Sequence, residues 1–261
     1  TINKNLIQRF EENESINTIK KIKERIKLGD IYELNFCIDY YAKNINIDPY
    51  QSYNNLNLLT ESPMSVFFKY NSLYVISSSP ERFIKRNNNK ITTEPIKGTI
   101  RKNRIRHEDL KNISYLKNNS KELSENHMIV DLVRNDLSKI ACKGSVKVKE
   151  LANLYSFKNV HQLISSVEAE IKESTKFSEI LKSSFPMGSM TGAPKIKSME
   201  LIDKFEKTQR GIYSGSIGYI SPSKNFDFNV VIRSIIYDSE NNKLNINVGS
   251  AITFASDPEN E

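Results

Sequence analysis

Apolar and polar positions alternate along this chain with two distinct periods. Isoleucines at 16, 19, 22 and 26 recur at the spacing of one helix face, so INTIKKIKERIKL (16–28) predicts a helix that Gly29 ends as a C-cap. YELNFCIDYYA (32–42) reads as a strand. MSVFFKY (64–70) and LYVISSS (73–79), joined at Asn71-Ser72, predict a hairpin. RFIKR (82–86) and KITTEPI (90–96) predict a second one across Asn87-Asn88-Asn89. Apolar residues at 129, 132, 133, 137 and 140 mark a long helix from about 117 to 140. GSVKVKEL (144–151) reads as a short strand and residues 177–184 as a short helix. FPMGSMTGAPK (185–195) is a glycine-punctuated loop, with Pro194 opening a helix to about 207. YSGSIGYIS (213–221), FDFNVVIRSIIYD (226–238) and KLNINVGSAITF (243–254) are antiparallel strand material.

Hairpins without strand-helix alternation predict an α+β fold in one domain. At 261 residues, 38% of them hydrophobic, the chain can bury a substantial core. No apolar run reaches about 18 residues, so no membrane span is expected. The opening TINKNLIQRFEENES carries acids and is no secretory signal. Cys37 and Cys142 match no metal spacing, which points to a reducing compartment and a cytoplasmic protein. The net charge of +7 would suit a nucleic-acid partner, but the lysines are spread among acids and asparagines. Binding to DNA that weakens steeply with salt would be the mark of that alternative. The densest basic run, Lys97 to Arg106, reads as a loop. SDPE (256–259) signals a helix start, yet the chain stops at Glu261 and begins at Thr1, so a cut at both ends is expected.

Several residues carry candidate chemistry. Glu122 and Glu125 stand three apart on the long helix, on nearly one face. They form either a solvated acidic face or a Mg²⁺ site, to which Glu259 and Glu261 would add. Arg233, in VVIRSII, falls by alternation on the face of Val231 and Ile235. It either pairs with an internal acid or grips a substrate carboxylate, with Tyr213 adding a hydroxyl. Glu81, in SSPERF, is a turn acid or, if buried, a proton donor with a raised pKa. Lys97 sits between Ile96 and Gly98, just after Pro95. It is a solvated loop lysine or a nucleophilic amine kept neutral by burial, with Gly98 allowing close approach of a substrate.

Taken together, SPERF…TEPIKGT, SKELSENHMIVDLVRNDL, FPMGSMTGAPK, RGIYSGSIGY, NVVIRS and GSAITFASDPENE resemble the chorismate-utilising enzymes in order and spacing. The resemblance runs from about residue 16 to 261. It implies the chorismate-binding fold, with large, mostly antiparallel sheets in a sandwich flanked by helices, forming a single catalytic domain. Members that form anthranilate or isochorismate carry PIAGT or PLAGT. Those that form 4-amino-4-deoxychorismate carry PIKGT, as in Pro95-Ile96-Lys97-Gly98-Thr99 here. The resemblance therefore implies amination of chorismate on the way to p-aminobenzoate and folate, with anthranilate formation as the alternative.

By the same resemblance, Lys97 attacks C2, and Glu81 protonates the leaving C4 hydroxyl. Gly98 and Thr99 line the pocket near the ring. Tyr213, Arg233 and the Gly249 N–H hold the enolpyruvyl carboxylate. Glu125 ligates Mg²⁺, Glu122 supports its water, and Glu261 fits the first of two further glutamates, the second falling beyond this sequence. Ammonia would come from a separate glutamine amidotransferase subunit. Two departures stand out. Glu33 occupies a position where the amine-adding members carry glutamine and the water-adding members lysine. Gln162 takes the place of a family histidine, with His161 one residue earlier.

Overall fold

A computed structural model describes residues 6–261. In chain order its elements begin with β1 (Ile7–Gln8), α1 (Glu12–Lys27), β2 (Glu33–Ala42) and α2 (Pro49–Thr60). Next come β3 (Met64–Tyr70), β4 (Leu73–Ser79), β5 (Arg82–Asn87), β6 (Lys90–Glu94) and β7 (Ile96–Arg101). Helices α3 (Arg106–Asn118) and α4 (Ser120–Ser138) lead to β8 (Lys147–Ser156), β9 (Val160–Glu170) and α5 (Phe177–Ser184). The remainder is β10 (Gly192–Ala193), α6 (Lys195–Phe205), β11 (Gly218–Ile220), β12 (Phe226–Asn229), β13 (Ser234–Asp238) and β14 (Lys243–Thr253). The fold is α+β, with two antiparallel sheets. No helix among the described residues is long and apolar enough to cross a membrane.

The chain divides into two compact units of interleaved segments. The first takes the residues up to Pro80, then Met190–Gly215 and Val231–Glu261. Its sheet runs β1-β2-β14-β13-β4-β3, with β10 also on β2. The isoleucine stripe of α1 does what its spacing requires: Ile19 and Ile22 pack with Phe10, Leu34, Phe36 and Ile252. Leu34 and Phe36 share one face of β2, so Glu33, Asn35, Cys37 and Asp39 share the other. All four are buried. One face of this strand is thus core and the other is a polar wall.

The second unit is Glu81–Ser189 with Ser216–Val230. Its sheet runs β11-β12-β5-β6-β9-β7, with β8 also on β9. Helix α4 buries Ile129, Val130 and Leu137, and Phe177 packs on Phe226 and Phe228 with ring centroids 5.1 and 5.3 Å apart.

The structure corrects three of the expected elements. The basic run from Lys97 is a strand as far as Arg101, since Thr99, Ile100 and Arg101 pair in succession with Gln162, His161 and Val160 of β9. The strand expected over 226–238 is broken, and β12 stops at Asn229 while β13 starts at Ser234. Tyr213 lies in a turn ahead of β11, not in strand. Helix α2 escaped the periodicity because it buries no residue, although Asp48 caps it by accepting from the Gln51 N–H at 3.0 Å and Pro49 opens it. The SDPE signal forms a turn in which the Asp257 carboxylate accepts from the Glu259 N–H at 3.2 Å and the Asn260 amide at 2.7 Å.

Candidate functional site

In the second unit, Glu81 links β4 to β5 and is 4% exposed. The Ser189 hydroxyl donates to its Oε1 at 2.7 Å. Its carbonyl accepts from the Val230 N–H at 3.0 Å. The next residue, Arg82, is tied to Asp227 at 2.8 and 3.2 Å and to Glu94, which fixes the strand beside the acid. Glu81 is therefore an inward, anchored carboxyl and not a surface turn acid.

Lys97 lies on β7 and is 8% exposed. The pairing with β9 slips here: Ile96 faces Ile164 while Thr99 faces Gln162, so Lys97 and Gly98 share one partner position. Such a bulge re-aims a side chain out of the strand's alternation. Gly98 has φ of +91°, and a Cβ there would lie 3.2 Å from Glu122 Oε2 and 3.1 Å from Leu163 Cδ1. The bulge thus needs glycine, and glycine brings the Glu122 carboxylate against it.

Asn126 braces the bulge from α4. Its Nδ2 donates to the Lys97 and Leu163 carbonyls at 3.4 and 3.5 Å, and the Ser165 hydroxyl donates to its Oδ1. Asn126→Ala should lower unfolding stability by about 1–3 kcal/mol, the cost of stranding such buried groups, read as a lower denaturant midpoint. An unchanged midpoint would mean that the bulge holds itself.

One residue before Asn126, Glu125 is 6% exposed, with Lys121 Nζ 4.0 Å from its Oε1. Glu122 and Glu125 project from the same stretch of α4 as Asn126. No cluster of three or more His, Cys, Asp or Glu side chains suited to a metal occurs among the described residues. Two carboxylates do fit a hard cation that keeps most of its own water, which is the habit of Mg²⁺. Thr99 accepts from Gln162 Nε2 at 3.1 Å. His161, beside it, is buried between Ser156 Oγ at 2.8 Å and Asp109 Oδ1 at 3.0 Å. The hydrogen bond from His161 holds the Asp109 carboxyl below the usual range.

In the first unit, Gly249 on β14 faces Cys37 on β2. A Cβ at Gly249 would lie 2.8 Å from Asn35 Nδ2, 3.0 Å from Cys37 Sγ and 3.3 Å from the Tyr213 hydroxyl. Tyr213, Asn35, Cys37 and Gly249 therefore converge. Behind them, Arg210 forks onto Glu206 at 2.6 and 2.9 Å and donates to the carbonyls of Met190 and Asn35 at 2.6 and 2.8 Å. Glu206 also accepts the Cys37 N–H at 2.9 Å. Burial raises the Tyr213 hydroxyl's pKa above its ordinary value and pushes the Cys37 thiol up to about 12. Native protein near pH 8 should therefore titrate one thiol rapidly, Cys142, and two in guanidinium. Equal fast labelling of both would contradict the packing around Cys37.

Arg233 is exposed, with φ of +50°. The chain leaves extended geometry between β12 and β13, so Arg233 does not share a face with buried Val231, as strict alternation would have it. Its carbonyl accepts from the Ser78 N–H at 3.1 Å, and Val231 bonds to Ser214 and Gly215 at 2.9 and 2.8 Å. One short segment thereby holds both Arg233 and the Tyr213 turn. Glu261 accepts from the Ser250 hydroxyl. Glu33 is 0% exposed on the polar wall of β2, with its carbonyl accepting from Ser198 Oγ at 3.3 Å.

The sequence profile of the chorismate binding enzymes matches residues 3–261. The chain belongs to that family. Aminodeoxychorismate synthase component 1 of Escherichia coli (strain K12) is 38% identical over 242 residues, 93% of this chain and 53% of the relative. Anthranilate synthase component 1 of Aquifex aeolicus (strain VF5) is 34% identical over 258 residues, 99% of this chain and 52% of the relative. The crystal structure of anthranilate synthase component I from Streptococcus pneumoniae TIGR4 superposes with a TM-score of 0.88 at 28% identity, over 98% of this chain and 56% of that one. The chain thus spans about half the length of these proteins.

For this member of the family, sequence reasoning missed four supporting residues: Asn126, Ser189, Asn35 and Cys37. Asn126 and Ser189 stand inside motifs that were noticed, but only the fold shows their hydrogen bonds to Lys97 and Glu81. Asn35 and Cys37 were legible as the polar alternation of β2, an unusual pattern for a strand whose opposite face is core.

Proposed function

We propose that this chain carries the amine-adding chemistry by which chorismate and ammonia become 4-amino-4-deoxychorismate. The observation that carries the reading is Lys97: a buried lysine on a glycine bulge, in the PIKGT stretch that distinguishes the amine-adding members. A lysine attacks only as the neutral amine, with its lone pair available to carbon.

In this reading the Lys97 amine bonds to C2, both ring double bonds shift by one position, and the C4–O bond breaks. Glu81 gives its proton to the departing hydroxyl, which leaves as water. Ammonia then bonds to C4, the C2–N bond breaks, and the lysine amine is restored. The proton shed by the new amine returns to Glu81. Ser189 supports this order, because its hydrogen bond to Oε1 holds the Glu81 carboxyl in place.

Tyr213, Arg233 and the Gly249 N–H are assigned to the enolpyruvyl carboxylate, and Gly98 and Thr99 to the ring. Mg²⁺ held by Glu125, with Glu122 and Glu261 in support, would neutralise one carboxylate of the dianionic substrate. Ammonia is assigned to a separate glutamine amidotransferase, in keeping with "component 1" in the relatives' names. The test is incubation with chorismate, Mg²⁺ and ammonium. Formation of 4-amino-4-deoxychorismate supports the reading. Anthranilate would transfer it to the rival that the Aquifex aeolicus relative represents, and no consumption of chorismate would sink both.

A further inference from the structure

We propose that a cavity beside Glu81 is a water site, and that Thr93, acting through this water, positions the Glu81 carboxyl. The cavity measures about 20 Å³, and Glu81, Thr93, Asp136 and Ser189 line it together with Phe83 and Leu137. A water needs roughly 10–15 Å³ and two to four polar partners, so one water fits.

Thr93 supplies the independent sign of a ligand. It is 5% exposed, and its Oγ1 is buried without a hydrogen-bond partner among the described residues. A buried hydroxyl left in that state is costly and is normally met by ordered water. A water here accepts from Thr93 and donates to the carboxylates on the cavity wall. Ser189 already holds Glu81 Oε1 at 2.7 Å. A hold from the cavity adds to this anchor and bears on the rotation of the carboxyl, which decides where its proton points. Thr93 does not touch substrate in this scheme. It is a positioning residue.

The inference rests on the reading of Glu81 as the acid, and the test separates the two. Thr93→Val keeps the shape and removes the hydroxyl, Thr93→Ala does so with less bulk, and Thr93→Ser restores the hydroxyl. The expected result is a fall in kcat of roughly five- to tenfold for Val and Ala, with KM for chorismate little changed and Ser near wild type. A high-resolution crystal structure should show an ordered water within reach of Thr93 Oγ1 that Thr93→Val lacks. Wild-type kcat in Thr93→Val, or no water beside Thr93 in the native enzyme, overturns the proposal. If Glu81→Gln is inactive while Thr93→Val is fully active, only the water's role falls. If Glu81→Gln keeps full activity, the acid reading and the positioning role fall together.

Discussion

With Lys97 replaced by alanine, ammonia-dependent formation of 4-amino-4-deoxychorismate falls by about 10³-fold or more, the order expected when a covalent nucleophile is removed. The physical reason lies in how β7 presents the side chain. The bulge at Lys97-Gly98 lifts the lysine out of the strand's alternation, and Asn126 holds the bulge from α4. The methyl group of alanine leaves this scaffold in place, so binding of chorismate should survive and the loss should fall on kcat. The decisive measurement is single-turnover product formation at saturating chorismate, with binding followed separately. Product at the wild-type rate would remove Lys97 from the chemistry.

Glu81→Gln is expected to lower kcat by about 10²- to 10⁴-fold, the usual worth of a positioned general acid. Glutamine matches the shape and still accepts from Ser189, so the anchoring on Arg82 and Val230 is preserved. What disappears is the proton. A good leaving group needs none, so a chorismate analogue activated at C4 should restore much of the rate in Glu81→Gln. Equal impairment with both substrates would recast Glu81 as a structural residue.

The legibility of these features was uneven, for identifiable reasons. The hairpin Met64–Ser79 and the helix Phe177–Ser184 appeared where local pattern put them, because turn chemistry and period are short-range properties. Lys97 could be noticed in PIKGT, but its burial could not be derived, because the bulge exists only through pairing with β9, more than 60 residues later in the chain. Arg233 was misplaced on a strand face for a related reason. Valines and isoleucines flank it, yet hydrogen bonds from the Ser78 and Ser214 N–H groups, and one from the Val231 N–H to the Gly215 carbonyl, fix the local backbone and override that preference. The supporting residue Asn126 was invisible in kind. An asparagine in a helix reads as solvated until the carbonyls it serves are known.

The way the two units share one chain bears on how the protein is made. Glu33 pairs with Thr253, so β2 gains its neighbour β14 only after about 220 further residues (253 − 33) have been made. At about 5–20 residues per second, that strand edge emerges from the ribosome at least roughly ten seconds before its partner. During that interval it offers unpaired backbone to other nascent chains. Holdase chaperones should therefore decide how much of this protein reaches its folded form.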